Sequence, residues 1–256
     1  MMFVDTHAHL YLKEFDADRP AVVERAFQQG VEQILLPNID STTVEGMLAL
    51  CDAFPRHCFP MMGLHPRSVR EDNESELKGT EEWLGKRKFC AVGEIGMDLY
   101  WDSTHVAQQE VVLRHQIALA VRYGLPVVVH SRNAIDRIIT VIRASGHNNL
   151  RGVFHCFSGT PEQAGEITSM GFMLGIGGVV TFKNSALAGV VSKMDLQHIV
   201  LETDAPYLAP APFRAKRNES AHIPLIAGKV ASLKGVAVEE VAHITTENAM
   251  KLFHLG

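Results

Sequence analysis

The sequence predicts an α/β protein of the (β/α)8 class, a TIM barrel, with residues 1–256 forming a single domain. Three observations lead there. Eight short apolar or β-branched runs alternate with segments of helical period. Glycines stand just after four of the helical segments. Landmark residues at the ends of the runs recur about every 28 positions, near the length of one strand–helix–strand repeat.

The first strand is expected at 3–8, followed by a helix at 19–29. Strands two, three and four are expected at 33–37, 59–64 and 89–95, with a helix at 44–54. The helix at 106–123 precedes strand five at 126–130, and the helix at 134–144 precedes strand six at 152–156. A helix at 161–170 leads into strand seven at 172–177, and strand eight is expected at 199–203. Gly30, Gly124, Gly146 and Gly171 fall where a left-handed C-cap belongs. From residue 223 the chain reads as two closing helices. A doubly wound open sheet is the alternative, but it has no reason to place polar residues at every strand end.

Composition narrows the class. With 24 basic and 29 acidic side chains the net charge is −5; 46% of residues are hydrophobic and 21% charged. This excludes a disordered chain, a collagen and a coiled coil. An acidic balance argues against non-specific coating of DNA, which needs a broad basic surface. Bound cations could still supply positive charge locally. The opening MMFVDTHAHL has neither a basic leader nor an apolar core of a secretory signal. The uncharged stretch 170–182 is too short and glycine-rich for a membrane span. Cys51, Cys58, Cys90 and Cys156 form no CxxC pair. The expectation is a cytoplasmic protein with reduced thiols and no membrane partner.

The chemistry-bearing residues sit at the strand ends. His7 and His9 end strand one, Glu94 strand four, His130 strand five, His155 strand six and Asp204 strand eight. In a parallel barrel those ends converge on one mouth. Six side chains of metal-ligand type in one small volume would repel or stay unsatisfied without a cation. His7 and His9, at i and i+2, share one face of a strand and form a pincer. Asp5 shares that face and is expected to orient a ligand histidine. Gly93 and Gly96 leave room around Glu94, whose two oxygens could bridge two ions. Asp98 is expected in the following loop or as a supporting partner, and Glu202 as a deeper polar anchor. Strand eight adjoins strand one, so Asp204 should fall beside His7 and His9.

The segments DTHAHL, GLHP, GEIGMDLY, HSR, FHCFSG, ETDAPYL and RNES resemble, at these intervals, the TatD-related metal-dependent hydrolases of the amidohydrolase superfamily. The resemblance covers essentially the whole chain. It implies that His7, His9, Glu94, His130, His155 and Asp204 are divalent-metal ligands. It also implies a metal-dependent deoxyribonuclease, a 3′→5′ exonuclease on single-stranded DNA, with some members acting on RNA. One departure is His222, where the family often carries a tyrosine.

The expected cofactor is a pair of divalent ions, Mg2+, Mn2+ or Zn2+. His7, His9 and Asp204 would hold the first and His130 and His155 the second, with Glu94 shared. Water activated by the ions would attack phosphorus, with Asp204 orienting or deprotonating it. The imidazole-rich set favours Zn, Mn, Fe or Co, whereas the resemblance implies Mg2+ or Mn2+. Phosphate contacts are expected from His65, Arg132, Lys183, Arg214, Lys216 and Arg217. Trp101 and Tyr207, with Tyr100, are candidates for stacking a terminal base. An amide, lactone or small phosphate-ester hydrolase on the same barrel, or a non-catalytic metal- or DNA-binding barrel, are the competing readings.

Overall fold

The structure, a computed structural model, describes residues 1–100 and 104–255. Eight parallel strands are present: β1 (Phe3–Asp5), β2 (Val31–Pro37), β3 (Cys58–Met62), β4 (Ala91–Asp98), β5 (Val127–Arg132), β6 (Gly152–Phe154), β7 (Phe172–Ile176) and β8 (Ile199–Leu201). They pair in chain order from β1 to β8. Helices α1 (Arg19–Gln28), α2 (Val44–Ala53), α3 (Glu74–Lys86), α4 (Val106–Tyr123), α5 (Ile135–Ala144), α6 (Pro161–Ser169) and α7 (Leu187–Lys193) fill the crossovers. Helices α8 (Ile223–Lys234) and α9 (Val238–Phe253) follow β8. This is the expected (β/α)8 order. All four glycines expected as caps have positive φ, from 65° at Gly124 to 83° at Gly171.

The ring is nearly closed, and the joint lies beyond the ends of β1 and β8. The backbone N–H of Thr6 donates to Leu201 O at 3.0 Å, that of Asp204 to His7 O at 2.8 Å, and that of His9 to Ala205 O at 2.7 Å. Both strands are therefore shorter than the sequence predicts, at three residues each. The residues that follow them leave the ladder and make the closure instead.

Two apolar layers surround the strands. One lies between the strands and the outer helices. The other lies inside the barrel, where Val4, Leu35, Met61, Ala91, Val128, Val153 and Val200 meet Ala249, Leu252, Phe253 and Leu255. The end of α9 thus stoppers the barrel below, and burying these side chains excludes water from that end. Side chains alternate along a strand, so the same inward rows continue upward into polar residues. Val128 leads to His130, Val153 to His155, and Val200 to Glu202 and then Asp204. Strand β4 needs a further device: it carries one extra residue against β5 between Val92 and Ile95. Strict alternation from the inward Ala91 would turn Glu94 outward; the bulge turns it in.

No single helix among the described residues is long and apolar enough to cross a membrane. One bent pair, Ser220–Lys234 with Val238–Phe253, passes on length and composition only, with a turn of 112°. Residues of both helices lie in the buried core.

Candidate metal centre

The closure that joins β1 to β8 also brings His7, His9 and Asp204 together. Nε2 of His7 lies 3.2 Å from Nε2 of His9, and each is 3.7 Å from Asp204 Oδ1. Asp204 is held with φ at +56°, in the left-handed region. Asp5 does not touch an imidazole, contrary to expectation. Its Oδ1 accepts from the backbone N–H groups of His7 at 3.3 Å and Thr203 at 2.9 Å, and its Oδ2 accepts from Thr203 Oγ1 at 2.6 Å. It straps the first and last strand extensions together and so fixes the backbone that carries the pincer. Burial raises its carboxyl to about 6, against the hydrogen bonds of Thr203.

Glu94 is the centre of the cluster. Its Oε1 is 2.7 Å from His155 Nε2, 2.8 Å from His130 Nδ1 and 3.4 Å from His65 Nε2. Its Oε2 is 3.2 Å from His7 Nε2 and 3.6 Å from His9 Nε2. One oxygen therefore faces one set of imidazoles and the other oxygen the other set. The room for this comes from glycine. A Cβ on Gly93 would lie 2.8 Å from Val128 Cβ, and one on Gly96 would overlap the carbonyl oxygen of His130.

Electrostatics follow from burial and neighbours. Burial and the adjacent His155 lower His7 to about 4. Burial and His7 hold His9 well below its ordinary value. Burial would push Glu94 up, but His155, His65 and His7 outweigh it and keep it well below the usual carboxylate range. Burial would lower His130, yet Asp98 and Glu94 raise it. Burial also opposes protonation of His155, but Glu94 and Glu202 raise it well above its ordinary value. Asp204 is raised to about 7, mainly by burial, against the pull of His155.

The surroundings orient the rings. Asp98 ends β4 rather than lying in a loop, and its Oδ2 is 3.0 Å from His130 Nε2. Glu202 Oε1 accepts from the backbone N–H of Cys156 at 2.5 Å and lies 3.5 Å from His155 Nδ1. His155 stacks on His7 with ring centroids 3.8 Å apart. Buried Nδ1 of His7 has no hydrogen-bond partner.

Three donor groups among the described residues could hold an ion: His7, His155 and Asp204; His7, His9 and Glu94; and His65, Glu94 and His130. Donors about 2.1 Å from a tetrahedral cation stand about 3.4 Å apart, and the separations here run from 2.7 to 3.7 Å. The chemistry of the donors fits a divalent ion as well: mixed imidazole and carboxylate, with the neutral His7 and His9 converging on acidic oxygens. His65 is the surprise. Its sequence position suggests a phosphate contact, but the structure places it against Glu94 and edge-on to His130. Tyr11 carries no signal in the sequence reading. It continues the His7, His9 alternation by one more step, and its hydroxyl lies 2.9 Å from His9 Nδ1.

The expected substrate residues divide. Tyr207 is half exposed at the mouth, its ring centroid 6.4 Å from that of His9. The Arg132 guanidinium lies 4.0 Å from the Tyr100 ring, and that of Arg214 lies 3.7 Å from the Phe182 ring. Lys183 is exposed, and Lys216 Nζ is 5.8 Å from the Phe213 ring. Arg217, in the basic run, is engaged within the protein. Its guanidinium pairs with Asp18 at 2.7 Å, donates to Glu14 O and lies over Phe15. Trp101 lies outside the described residues. His222 stacks on Phe213 and contacts Asn218 Oδ1 at 2.8 Å.

Fold and mouth together define a TIM barrel whose polar side chains converge where such barrels bind and transform ligands. The family model described as TatD related DNase matches residues 4–254. The chain belongs to this family. It is 37% identical to the uncharacterized metal-dependent hydrolase YabD of Bacillus subtilis over 256 residues, covering all of both chains. It is 32% identical to the 3'-5' ssDNA/RNA exonuclease TatD of Edwardsiella piscicida, covering 99% of this chain and 100% of that one. Among solved structures, YJJV, a TatD homolog from Escherichia coli K12, superposes with a TM-score of 0.94 at 31% identity, covering 99% and 98% of the two chains.

Proposed function

We propose that the protein is a divalent-metal-dependent phosphodiesterase that shortens single-stranded DNA from its 3′ end. The observation that carries this reading is the division of Glu94, one oxygen toward His130 and His155 and the other toward His7 and His9. That division suits two cations about 3.5–4 Å apart, the arrangement of two-metal phosphoesterases. His7, His9 and Asp204 would hold one, His130 and His155 the other, and Glu94 both. His65 faces the second group and either completes it or contacts the phosphate. Such ions, Mg2+, Mn2+ or Zn2+, lower the pKa of water and neutralise phosphate charge.

The chain's own groups do the rest. Asp204, at the junction of His7 and His9 and less buried than Glu94, would orient the attacking water or accept its proton. Asp98 holds the His130 ring, and Glu202 lies beside that of His155. Tyr207 offers a face for a terminal base beside His9. Arg132, Arg214, Lys216 and Lys183 would supply positive charge for the following phosphates. The named activity of the Edwardsiella relative supports single-stranded nucleic acid as substrate.

A panel of end-labelled single- and double-stranded DNA and RNA oligonucleotides, with Mg2+, Mn2+, Zn2+ or chelator, tests the reading. The expected result is cation-dependent shortening of single-stranded DNA from the 3′ end, abolished in Glu94→Ala. No cleavage of any nucleic acid, with turnover of a lactone, amide or small phosphate ester instead, overturns it. Cleavage that persists in Glu94→Ala also overturns it.

A further inference from the structure

Tyr11 sits behind the donors, and its hydrogen bonds determine what one of them can do. Its hydroxyl oxygen lies 2.5 Å from Pro37 O and 2.9 Å from His9 Nδ1. The ring is buried, and besides these two partners the Thr43 hydroxyl approaches the phenol. A phenol has one proton, and a carbonyl oxygen can only accept. At that separation the proton belongs to the Pro37 bond. The hydroxyl then has only lone pairs left for His9, so His9 Nδ1 must carry the hydrogen between them. Thr43 leaves this unchanged: its own proton has acceptors in Asn38 Oδ1 at 2.8 Å and Asp40 O at 3.0 Å, and its oxygen already accepts from the backbone N–H groups of Ile39 and Asp40.

A neutral imidazole carries a proton on one nitrogen only. With Nδ1 protonated, Nε2 of His9 is a bare lone pair. It faces His7 Nε2 at 3.2 Å, Glu94 Oε2 at 3.6 Å and Asp204 Oδ1 at 3.7 Å. The two carboxylate oxygens offer no donor when ionised, and a cation among these atoms satisfies all four.

We propose that Tyr11 is a positioning residue: anchored on the Pro37 carbonyl, it locks His9 in the Nδ1–H tautomer and aims Nε2 at a divalent cation. The role differs from that of Asp98 and Glu202, which face their histidines with carboxyl groups. Tyr11 directs its ligand with a neutral group, through the direction of one proton. The end of β2, which carries no donor to the cluster, thereby helps set cation affinity. This inference rests on the cation reading above, and its test separates the two.

The first arm uses wild-type protein stripped of metal. Long-range proton–nitrogen correlation spectra of histidine-labelled protein read each tautomer, with His9 assigned by loss of its signals in His9→Gln. The expected form is Nδ1–H; finding Nε2–H overturns the proposal. The second arm uses Tyr11→Phe, which keeps the ring and removes only the hydroxyl. Titration with Mn2+ should show Kd raised about 10–100-fold, the usual effect of removing a ligand's supporting partner. In the same variant His9 should lose its single tautomer. An unchanged Kd beside a folded, wild-type-like melting curve overturns the proposal. If Tyr11→Phe does not fold, the first arm decides alone. If wild-type protein binds no Mn2+, Mg2+ or Zn2+, the cation reading fails, while the tautomer still stands or falls on its spectrum.

Discussion

Asp98 Oδ2 lies 3.0 Å from Nε2 of His130, whose other ring nitrogen lies 2.8 Å from Glu94 Oε1. The imidazole is thus gripped from both sides by carboxylates on a single strand, β4. Asp98 accepts also from the backbone N–H of Tyr100 at 3.1 Å, which fixes the carboxylate in turn. Asp98→Ala is expected to weaken divalent-cation binding about 10–100-fold. Calorimetric titration with Mn2+ checks this, and an unchanged Kd speaks against an orienting role.

Asp204 makes a second prediction. Its carboxylate lies at the junction of His7 and His9 but is less buried than Glu94, so it can face both donors and substrate. Asp204→Asn is expected to lower kcat about 10²–10⁴-fold, the range for loss of a placed proton acceptor. The KM for oligonucleotides should change much less. Steady-state kinetics on a fluorescent single strand read both parameters.

The RNES segment is a brace for the mouth. Arg217 pairs with Asp18 at 2.7 Å, and Glu219 with Arg25 at 2.6 Å. Asn218 Nδ2 donates to Thr203 O at 2.8 Å and Tyr207 O at 2.7 Å, on either side of Asp204. Hydrogen bonds from Arg217, opposed by some burial and aided by Arg25, lower the Asp18 carboxyl to about 2. Because the folded value is depressed, its contribution is present above the ordinary value of 3.8 and fades as pH falls through about 2. Solvent screening limits it to about 0.2–1 kcal/mol. Asp18→Asn should therefore lower Tm by at most about 2–4 °C at pH 7, with little effect near pH 2 and none on the KM for DNA. Melting curves across that pH range and one kinetic measurement check all three outcomes.

Two glycines are predicted to respond oppositely. A Cβ on Gly175 would overlap Glu202 Oε2, and Glu202 is fully buried. Gly175→Ala should cost about 1–3 kcal/mol from overpacking and also weaken cation binding by shifting the carboxylate beside His155. Gly79 lies inside α3, and a methyl group added there would meet nothing within 4 Å. Gly79→Ala should add about 0.4–1 kcal/mol. Urea denaturation of the two variants separates the effects.

Much of this architecture was legible in the sequence because it repeats. The strand runs, the glycine caps and the histidines and acids at strand ends each follow one-dimensional rules. The inward aim of His130 and His155 follows from alternation after Val128 and Val153. Glu94 does not follow from alternation, because the bulge that turns it inward is a property of how β4 meets β5. The contact of His65 with Glu94, and any role for Tyr11, are not legible for a related reason. Their neighbours, Glu94 and Pro37, lie on other strands, and only the closed ring brings them within contact. Arg217 and Asp18 are 199 positions apart, so nothing local could show that the basic run is partly neutralised. Asp5 reads as a partner for an imidazole, yet the closure of the barrel engages it with Thr203.

Glu94 is placed to join two divalent ions under the proposed function, one on the His7 and His9 side and one on the His130 and His155 side. Anomalous diffraction from crystals grown with Mn2+ or Zn2+, recorded on both sides of the metal absorption edge, tests it most directly. Two peaks flanking Glu94, each within bonding distance of its own imidazoles, are the predicted result. A map with no peak in the barrel mouth, or with metal only at sites away from Glu94, would rule out a shared Glu94.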